Sequence, residues 1–574
     1  MKDDRSAGAG RRSLAMLVAG LIAMVVGLAA AARLQAPQGV SVEAVRFQGA
    51  SGARMRALLY RPASATPATP APGILAVHGY LNSAEIQSNF AIEFARRGYV
   101  VLAPDQRGHG GSDPAAFSDG FGGPDALAFL RRLPYVDRDN IGLEGHSMGG
   151  WTVLAAAKAH PDGYRAMVLE GSSVGPPFAP PGDTRFPRNL MVVFGAYDEF
   201  GGFMWGPEAP VRTGATRKAM AVFGAQEPVV PGRLYGDIAA GTARVLETPQ
   251  AIHAGVHESP AGIGFALEWF GRTLEGGRPL PPRDQVWPWK EAATALALVA
   301  AVPVLIGLFG VLLRLGPFAF LARDAASPPL PVRSGKRWIQ LAAVAAVPVL
   351  AYLPVMRLAE HWLGENAVFR QTFSNQIAAW SLFNALLAVV TLTLGRRLEF
   401  SALRGFWRSL GLAVLVAGGL YVVIAVAEEL GHVDPQFWIL IWRPLESGRW
   451  RDFLVYLPVF LFYAVMTLRM VDSLRPLASG SAWGAFAFTA SILAAPLALF
   501  LAAQYGTLLA TGSLLSPTEG LRVIVAIPLL AAMVLVSILA VATTRMARDT
   551  LPGALLCGVL LSWFLSATQA IGVS

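Results

Sequence analysis

The hydrophobic positions of this 574-residue chain follow two different patterns. From about residue 40 to residue 285, short apolar runs alternate with polar loops and with stretches of helical periodicity, which is typical of a globular domain. From residue 290 onward, apolar runs of about twenty residues follow one another, and that length suffices for a helix to cross a bilayer. The pattern therefore predicts a globular domain followed by a membrane domain.

Within the globular part, the pattern predicts strands separated by loops and helices. The strands are expected at about 41–48, 53–60, 73–78, 99–104, 141–146, 166–171, 190–195 and 243–248. The helices are expected at about 84–97, 123–133, 149–160 and 261–274. Strands that alternate with helices build a mainly parallel sheet covered on both faces, so the expected fold class is α/β.

The N-terminus carries a further apolar run at residues 13–32, after a basic flank and directly before Arg33. The flank contains Lys2, Arg5, Arg11 and Arg12. A cleaved signal peptide is the alternative, because the flank is basic and the run ends in small residues. The length of the run favours an uncleaved anchor. In both cases the positive-inside rule keeps the flank inside and sends the globular domain outside.

The membrane domain is expected to hold about eight further spans. They lie at approximately 291–313, 338–356, 377–395, 409–427, 453–471, 485–503, 523–544 and 553–572. With the anchor they make nine, the N-terminus inside and the C-terminus outside, because more arginines fall in the loops predicted to face inward. The stretch 437–442 is too short to cross and leaves the count open by one. The expected domains are 1–33 (tail and anchor), 34–285 (globular) and 286–574 (membrane).

The composition of the chain narrows the kinds of molecule that it is expected to bind. The net charge is +9, but the basic residues lie at the ends of apolar runs and form no basic-aromatic platform, which argues against nucleic acid. With 54% hydrophobic residues, 15% charged residues and a mean hydropathy of +0.47, the chain is too apolar for a purely soluble protein. Arginine far outnumbers lysine, a skew that hints at a GC-rich bacterial genome.

Cofactor motifs are absent from the sequence. The single cysteine, Cys557, excludes an intramolecular disulfide. Without a phosphate-binding loop, an H-E-x-x-H or a C-x-x-C motif, no cofactor and no metal is expected. Two ionisable groups that follow predicted spans would bind a cation or a polar headgroup, or would simply mark the water interface. They are Glu360, His361 and Glu365, and Glu428, Glu429 and His432.

The segment 141–150 contains the clearest chemical signal. An apolar strand runs into Gly145-His146-Ser147-Met148-Gly149, and a helix-forming run follows. This is G-x-S-x-G in the strand–turn–helix context that exposes a serine oxygen above the sheet edge, with glycines where a Cβ would crowd the turn. Ser147 is therefore the predicted nucleophile.

A second glycine-bearing segment, at residues 77–83, ends the third predicted strand. Gly79 allows a backbone N–H to point at a developing oxyanion, so the N–H groups of Tyr80 and Met148 are the predicted donor pair. The glycine-dense turn at 105–112 follows the next strand and is expected to pack beside the nucleophile.

The order of these motifs resembles the α/β-hydrolase superfamily, most of all its serine aminopeptidase and monoglyceride-lipase-like branch. The segments concerned are HGYLNS, DQRGHGGSD, GHSMGG, the turn at Asp198 and the histidine segment 251–260. They span residues 40–274, and the resemblance does not extend to the membrane half. It implies an α/β-hydrolase sheet domain. His78, His109 and His146 are expected to support loops.

The resemblance further implies Ser147 as nucleophile, a histidine as general base and Asp198 as the carboxylate that orients the base. His253 is the preferred base, because it is the first histidine after the last strand and lies a loop's length before the final helix. His257 is the alternative base. The alternative carboxylates are Glu199 and Glu170.

One segment departs from the superfamily. The long excursion of the chain lies between the acid and the base, at 199–242, and it opens with an apolar tip at 200–206. This tip would form a substrate wall, rest on the membrane surface or pack internally.

The leading interpretation is an integral-membrane serine hydrolase that cleaves an ester or amide bond through an acyl-enzyme. The substrate would be a small-molecule ester, a lipid or a peptide, met at an external domain of a multi-pass protein in a bacterial cell membrane. Two alternatives remain open. One is a transporter or sensor whose hydrolase-like domain binds or processes a ligand, and the other is a membrane acyltransferase that uses the same triad.

Overall fold

The structure, a computed structural model, describes residues 2–206, 212–322, 335–395, 405–446, 448–475 and 480–573. Eight strands of the N-terminal half form one sheet. They are β1 (Val40–Gln48), β2 (Arg54–Pro62), β3 (Ala71–Val77), β4 (Val100–Pro104), β5 (Val136–His146), β6 (Ala166–Glu170), β7 (Leu190–Val193) and β8 (Arg244–Glu247). All eight coincide with predicted strands, although β5 begins five residues earlier than expected.

The sheet has the order β1-β2-β4-β3-β5-β6-β7-β8. The pairs β1–β2 and β2–β4 are antiparallel, and every other neighbouring pair is parallel. The predicted α/β class with a mainly parallel sheet is therefore confirmed. The central strands β3 and β5 are almost wholly buried, as parallel strands with helices on both faces must be.

Helices cover both faces of this sheet domain. One face is covered by α3 (Gly123–Arg132) and α4 (Met148–Ala159), and the other by α2 (Ser88–Arg96) and α7 (Pro260–Thr273). The short helices α5 (Gly201–Met204) and α6 (Arg217–Phe223) lie in the excursion before β8. The predicted helix at 84–97 is divided, because a 3₁₀ turn at Ala84–Gln87 precedes α2.

Among the described residues of the C-terminal half, helices are connected by loops and by one two-stranded hairpin. Its helices are α8 (Trp287–Leu312), α9 (Gly335–Leu350), α10 (Tyr352–Trp362), α11 (Thr372–Leu394), α12 (Phe406–Gly431), α13 (Arg449–Leu474), α14 (Ala482–Leu493), α15 (Ala495–Thr511), α16 (Gly520–Ala547) and α17 (Leu551–Thr568). The stretch predicted to be too short to cross forms the hairpin of β9 (Gln436–Phe437) and β10 (Leu440–Ile441).

Among the described residues, seven helices are long and apolar enough to span a membrane. The pairs α9–α10 and α14–α15, bent by 47° and 52°, raise the number to nine if each pair is one span. Proline explains the second bend, because Pro496 at the start of α15 cannot continue the hydrogen bonds of α14. Part of the predicted charge bias rests on Arg323, Arg333, Arg396, Arg397 and Arg404, which lie outside the described residues.

The N-terminal helix α1 (Lys2–Gln35) packs along α8 through small residues. A Cβ on Gly27 would come within 2.7 Å of the Ala293 carbonyl oxygen, and one on Gly307 within 2.5 Å of the Leu17 nitrogen. Glycine at these positions lets the two backbones approach closely, as in membrane helix pairs.

The sheet domain rests on one end of the helical bundle. It contacts the C-terminal parts of α12, α15 and α17 and the N-terminal parts of α8, α11, α13 and α16. Helices that run toward the sheet domain therefore alternate with helices that run away from it, as successive crossings of one layer require.

Buried arginines join the two parts. Arg56 on β2 forms ion pairs with Glu85 at 2.8 Å, with Asp105 at 3.2 Å and with Glu428 on α12. Arg449 on α13 donates to the carbonyl oxygens of Gly108 and Gly110 at 3.1 and 3.0 Å. Because these charges are almost fully buried, they stay bound only as long as the two parts remain together.

Candidate active site

Ser147 lies in the turn between β5 and α4. Its backbone has φ 55° and ψ −120°, an unusual conformation for a residue with a side chain. The turn is tight because neighbouring backbone leaves no room: a Cβ on Gly149 would lie 2.1 Å from the Val77 carbonyl oxygen. The serine oxygen is thereby aimed into a cavity above the sheet edge.

His253 and Asp198 complete a chain of hydrogen bonds with Ser147. The Ser147 hydroxyl lies 2.9 Å from Nε2 of His253, and Nδ1 of His253 donates to Oδ2 of Asp198 at 2.8 Å. Asp198 follows β7, and His253 begins a 3₁₀ turn at His253–Glu258 after β8. Parallel strands deliver their C-terminal ends to one edge, so three residues that are distant in sequence meet there.

The alternative residues take no part in the hydrogen bonds that join Ser147, His253 and Asp198. His257 is buried, and its ring nitrogens have no hydrogen-bond partner in the part of the chain that the structure describes. Glu199 accepts from the backbone N–H of His253 at 2.6 Å and so holds the turn rather than the imidazole. The Glu170 carboxyl likewise lacks a hydrogen-bond partner among the described residues.

Burial and charge separate the two histidines. Burial lowers the pKa of His253, but the Asp198 carboxylate and its hydrogen bond outweigh burial and leave that pKa above its usual value. For His257, burial and the neighbouring His253 lower the pKa to about 3. Burial, together with the Asp198 charge, raises the pKa of Glu199. Of the two histidines, only His253 has a carboxylate that stabilises its protonated form.

The predicted oxyanion donors lie beside Ser147. A Cβ on Gly79 would be 3.2 Å from the Ser147 Cβ, so the chain at 79–80 passes directly over the serine. Leu81 and Asn82 then take positive φ values of 73° and 61°. Tyr80 and Met148 both line the cavity that Ser147 faces.

The other histidines hold loops through hydrogen bonds. Nε2 of His78 accepts the backbone N–H of Gln106 at 3.1 Å, and Nε2 of His109 accepts that of Leu81 at 3.3 Å. His146 donates to the carbonyl oxygen of His253 at 3.0 Å. These contacts fix the segments around the serine.

Comparison with known proteins supports the fold of the sheet domain. Residues 72–200 match the sequence model of a family described as "alpha/beta hydrolase fold". The sheet domain has the α/β-hydrolase fold and is called the hydrolase domain below. The matched segment includes the strands β3 to β7, the turn with Ser147 and Asp198, while His253 lies beyond it.

Relatives match only part of the hydrolase domain. A monoacylglycerol lipase of Mycolicibacterium smegmatis is 35% identical over 118 residues, which cover 19% of this chain and 41% of the lipase. Polyketide transferase af380 of Aspergillus fumigatus is 35% identical over 125 residues, 20% of this chain and 40% of the transferase. The chain thus spans about two fifths of the length of these curated relatives.

Solved structures show the same partial similarity. An epoxide hydrolase of Vigna radiata is 20% identical, with a TM-score of 0.20, and the match covers 24% of this chain and 42% of that one. Potato (Solanum tuberosum) epoxide hydrolase I is 21% identical, with a TM-score of 0.20 and coverage of 24% and 41%.

The cavity above Ser147 has a volume of about 1180 Å³ and is bounded by both parts of the molecule. The hydrolase domain contributes mainly aromatic side chains: Tyr80, Phe117, Trp151, Phe178, Phe200 and Phe203. The helical bundle contributes aliphatic side chains, among them Ile439, Leu508, Leu521, Ile524 and Val525, and polar ones, among them Thr511, Ser513, Thr518, Thr568 and Gln569. The apolar tip of the excursion is therefore a wall of this cavity, with the Phe200 ring 4.6 Å from the His253 ring.

Two side chains of the membrane domain hold the turn that carries His253. Tyr505 on α15 donates to Oε1 of Glu199 at 2.8 Å, and Glu199 in turn binds the His253 N–H. The indole N–H of Trp438, in the hairpin, donates to the carbonyl oxygen of Ala254. Sequence patterns missed both residues, because 306 and 184 positions separate them from their partners and no motif marks such contacts.

The ionisable groups that the sequence singled out are engaged in the structure. Glu360 lines the cavity and forms an ion pair with Arg522. Carboxylate oxygens of Glu85, Glu428 and Asp434 lie within 4.8 Å of one another, the spacing of a possible cation site. Arg56 forms ion pairs with two of these residues, however, and so supplies the positive charge that a metal ion would bring.

Proposed function

We propose that the protein is a membrane-embedded serine hydrolase that cleaves ester bonds through an acyl-enzyme on Ser147. The observation that carries this proposal is the hydrogen-bonded chain Ser147–His253–Asp198, which faces a large and mostly apolar cavity. A serine hydroxyl becomes a strong nucleophile only when a neighbouring base accepts its proton, and this chain provides that base with its orienting carboxylate.

In the proposed acylation, Nε2 of His253 takes the hydroxyl proton while the Ser147 oxygen attacks the ester carbonyl. The backbone N–H groups of Tyr80 and Met148 stabilise the oxyanion that forms. His253 then donates its proton to the departing alkoxide. Asp198 keeps the imidazole in the required tautomer and stabilises its positive charge throughout.

The walls of the cavity favour an ester over an aminopeptidase substrate. A peptide amino terminus needs a free carboxylate to bind its ammonium group. Among the described residues that line the cavity, the carboxylates are Glu199 and Glu360. The first is bound by Tyr505 and the His253 backbone, and the second by Arg522. Apolar walls suit an acyl chain instead.

Acyl transfer is a second candidate, because one relative is a polyketide transferase. It uses the same acyl-enzyme and differs only in whether water or another hydroxyl group attacks it. Release of free acid and of a new ester, measured with glycerol added as acceptor, distinguishes the two.

We also propose the division 1–33, 34–285 and 286–574, with the N-terminus inside and the hydrolase domain outside the membrane. The basic flank before the first span supports this orientation. The helices that contact the hydrolase domain alternate in direction, which supports the placement of all these contacts on one side of the membrane.

Labelling with a fluorophosphonate probe tests the mechanism. We expect the full-length protein to be labelled and the Ser147→Ala variant to remain unlabelled at equal expression. Of the matched histidine variants, His253→Ala should lose labelling and ester hydrolysis by roughly three orders of magnitude or more. His257→Ala should retain most of both. Labelling of Ser147→Ala, or a larger loss in His257→Ala than in His253→Ala, would contradict the proposal.

A further inference from the structure

Helix α16 presents one continuous apolar stripe to two cavities. Near its start, Leu521, Ile524, Val525 and Pro528 line the cavity above Ser147. Further along the same face, Ala531, Ala532, Leu535 and Ile538 line a second cavity of about 250 Å³. The spacing of three and four residues keeps all of these positions on one side of the helix. From Leu521 to Ile538 the stripe is about 26 Å long, close to the thickness of a bilayer core.

The second cavity is an apolar groove between α8, α16 and α17. On α8 it is lined by Leu298, Val299 and Val302, and on α17 by Leu560, Leu561 and Phe564. None of its described lining residues carries a charged side chain. Val299 is 68% exposed, so the groove opens at the side of the bundle rather than at its end.

The groove adjoins the cavity above Ser147. Pro528 and Phe564 line both spaces, and Ile439 of the hairpin lines the first beside Leu440 of the second. A chain that passes these shared side chains would lead from Ser147 into the groove between the helices. Polar side chains, among them Glu199 and His253, are found at the head end of this path.

The aromatic side of the first cavity is the other candidate site for an acyl chain. Its rings already contact one another, with the Trp151 and Phe178 centroids 4.7 Å apart and those of Phe117 and Phe178 5.7 Å apart. Phe117 and Phe203 are 48% and 58% exposed, so this side leads toward the surface of the hydrolase domain.

We infer that the groove between α8, α16 and α17 binds the acyl chain of the substrate, an ester of a fatty acid that resides in the membrane. The ester enters sideways between α8 and α16, and its carbonyl reaches Ser147 while the chain stays among the helices. This inference rests on the proposed function and adds the substrate class and a binding site in the membrane domain.

A covalent photoprobe locates the chain. The full-length protein in bilayer nanodiscs is treated with a fluorophosphonate whose decyl chain ends in a diazirine, then irradiated and digested. We expect Ser147 to carry the phosphonate and the chain end to be crosslinked to peptides that contain 296–302 or 531–538. Crosslinks confined to the aromatic side, at Phe117 or Phe178, or to bilayer lipid alone, overturn the inference while leaving the labelled serine in place.

A matched pair of variants on α16, each replacing an alanine by tryptophan, provides the kinetic test. Ala532→Trp fills the groove, whereas Ala542→Trp adds the same bulk outside it. We expect the ratio of kcat/KM for a decanoyl ester to that for an acetyl ester to fall on the order of tenfold in Ala532→Trp, as if about two methylenes lost their contacts. The ratio should change less than twofold in Ala542→Trp.

The outcomes separate the two proposals. An unchanged ratio in Ala532→Trp, with both esters cleaved, overturns the acyl-chain site but not the serine hydrolase. If the unmodified protein hydrolyses neither ester and is not labelled at Ser147, the proposed function is overturned, and the acyl-chain site with it.

Discussion

The turn that carries Ser147 and the turn that carries His253 are stabilised by different parts of the molecule. The Ser147 N–H donates to the Glu170 carbonyl oxygen, and the Ser147 carbonyl oxygen accepts from Gly150 N–H and from the Ser172 hydroxyl, all within the hydrolase domain. The His253 turn is bound by His146 and Glu199 of the hydrolase domain and also by the helical bundle, through Tyr505 on Glu199 and through Trp438 on Ala254.

This difference predicts that the helical bundle helps to position His253. A nucleophile turn built from backbone contacts and close-packed glycines is complete without the helices. The base turn needs the helices to hold Glu199 and Ala254, and an error of about one ångström in the position of a base lowers a rate strongly. The predictions below test this division of roles.

The largest effect is expected from Asp198→Asn. We expect kcat/KM for ester hydrolysis to fall by roughly four orders of magnitude, because the amide no longer fixes the required tautomer. The pH dependence should also change. Activity needs neutral His253 and so is lost as pH falls through the pKa of His253, which Asp198 raises against burial. In the variant the contributions of Asp198 that raise this pKa are lost while burial still lowers it, so the midpoint of the pH profile should move down. The exposed Asp139→Asn is the control, and an unchanged midpoint in Asp198→Asn would contradict the assigned carboxylate.

The next effect concerns the contact between the two domains. Arg56→Met leaves the carboxylates of Glu85, Asp105 and Glu428 without their shared cation. Because breaking a buried ion pair from one side is strongly unfavourable, the free energy of unfolding should fall by about 3–5 kcal/mol. Thermal unfolding of the purified full-length protein measures the loss. Arg54→Met on the same strand removes an exposed pair with Asp113 and should change little. Equal effects of the two variants would exclude a special role for the buried network.

Tyr505→Phe tests the link from the membrane domain to the base. It removes the hydrogen bond to the buried carboxyl group of Glu199. Leaving a buried acceptor without its donor costs about 1–3 kcal/mol. We expect kcat/KM to fall on the order of tenfold, with fluorophosphonate labelling slowed by a similar factor. Tyr463→Phe serves as the control. Tyr463 is buried, and the hydrogen-bond partner of its hydroxyl group among the described residues is the Met533 sulfur. A change in thermal stability without a change in rate would contradict the positioning role.

The smallest effect is expected from Trp438→Phe. This change removes one neutral hydrogen bond, to the Ala254 carbonyl oxygen, while keeping an aromatic ring in the hairpin. Such a bond contributes about 0.5–1.5 kcal/mol, so the rate should fall a few-fold. The largely exposed Trp289→Phe is the comparison. A loss greater than that of Tyr505→Phe would reverse the proposed order of the two contacts.

The sequence predicted most of the hydrolase fold because its elements are local. Alternation of apolar residues located the strands to within a few positions, except at the start of β5. The polar stretch Asp137 to Asn140 near the start of that strand does not alternate, and the pairing with β3 passes from Asp137 to Ile141 across a register shift. Hydropathy located the helices of the pairs α9–α10 and α14–α15, but the angles of 47° and 52° came from the structure, since hydropathy records length and not direction.

The residues of the candidate site were likewise predicted in part from the sequence and in part only from the structure. Ser147 lies in a local motif, and the order of Asp198 and His253 along the chain suggested their roles. The choice between His253 and His257 needed coordinates, because the two residues are four positions apart and only the path of the turn decides which ring faces Asp198. This geometric assignment awaits the histidine variants.

By itself, the sequence determined a mainly parallel α/β domain, a set of apolar helices and a serine in a strand–turn–helix motif, because periodicity and turn chemistry act over a few residues. Only the tertiary structure decided that the helices wall the cavity above that serine and hold the His253 turn. Those contacts join residues hundreds of positions apart, and they depend on packing, burial and charge pairing that no local pattern records.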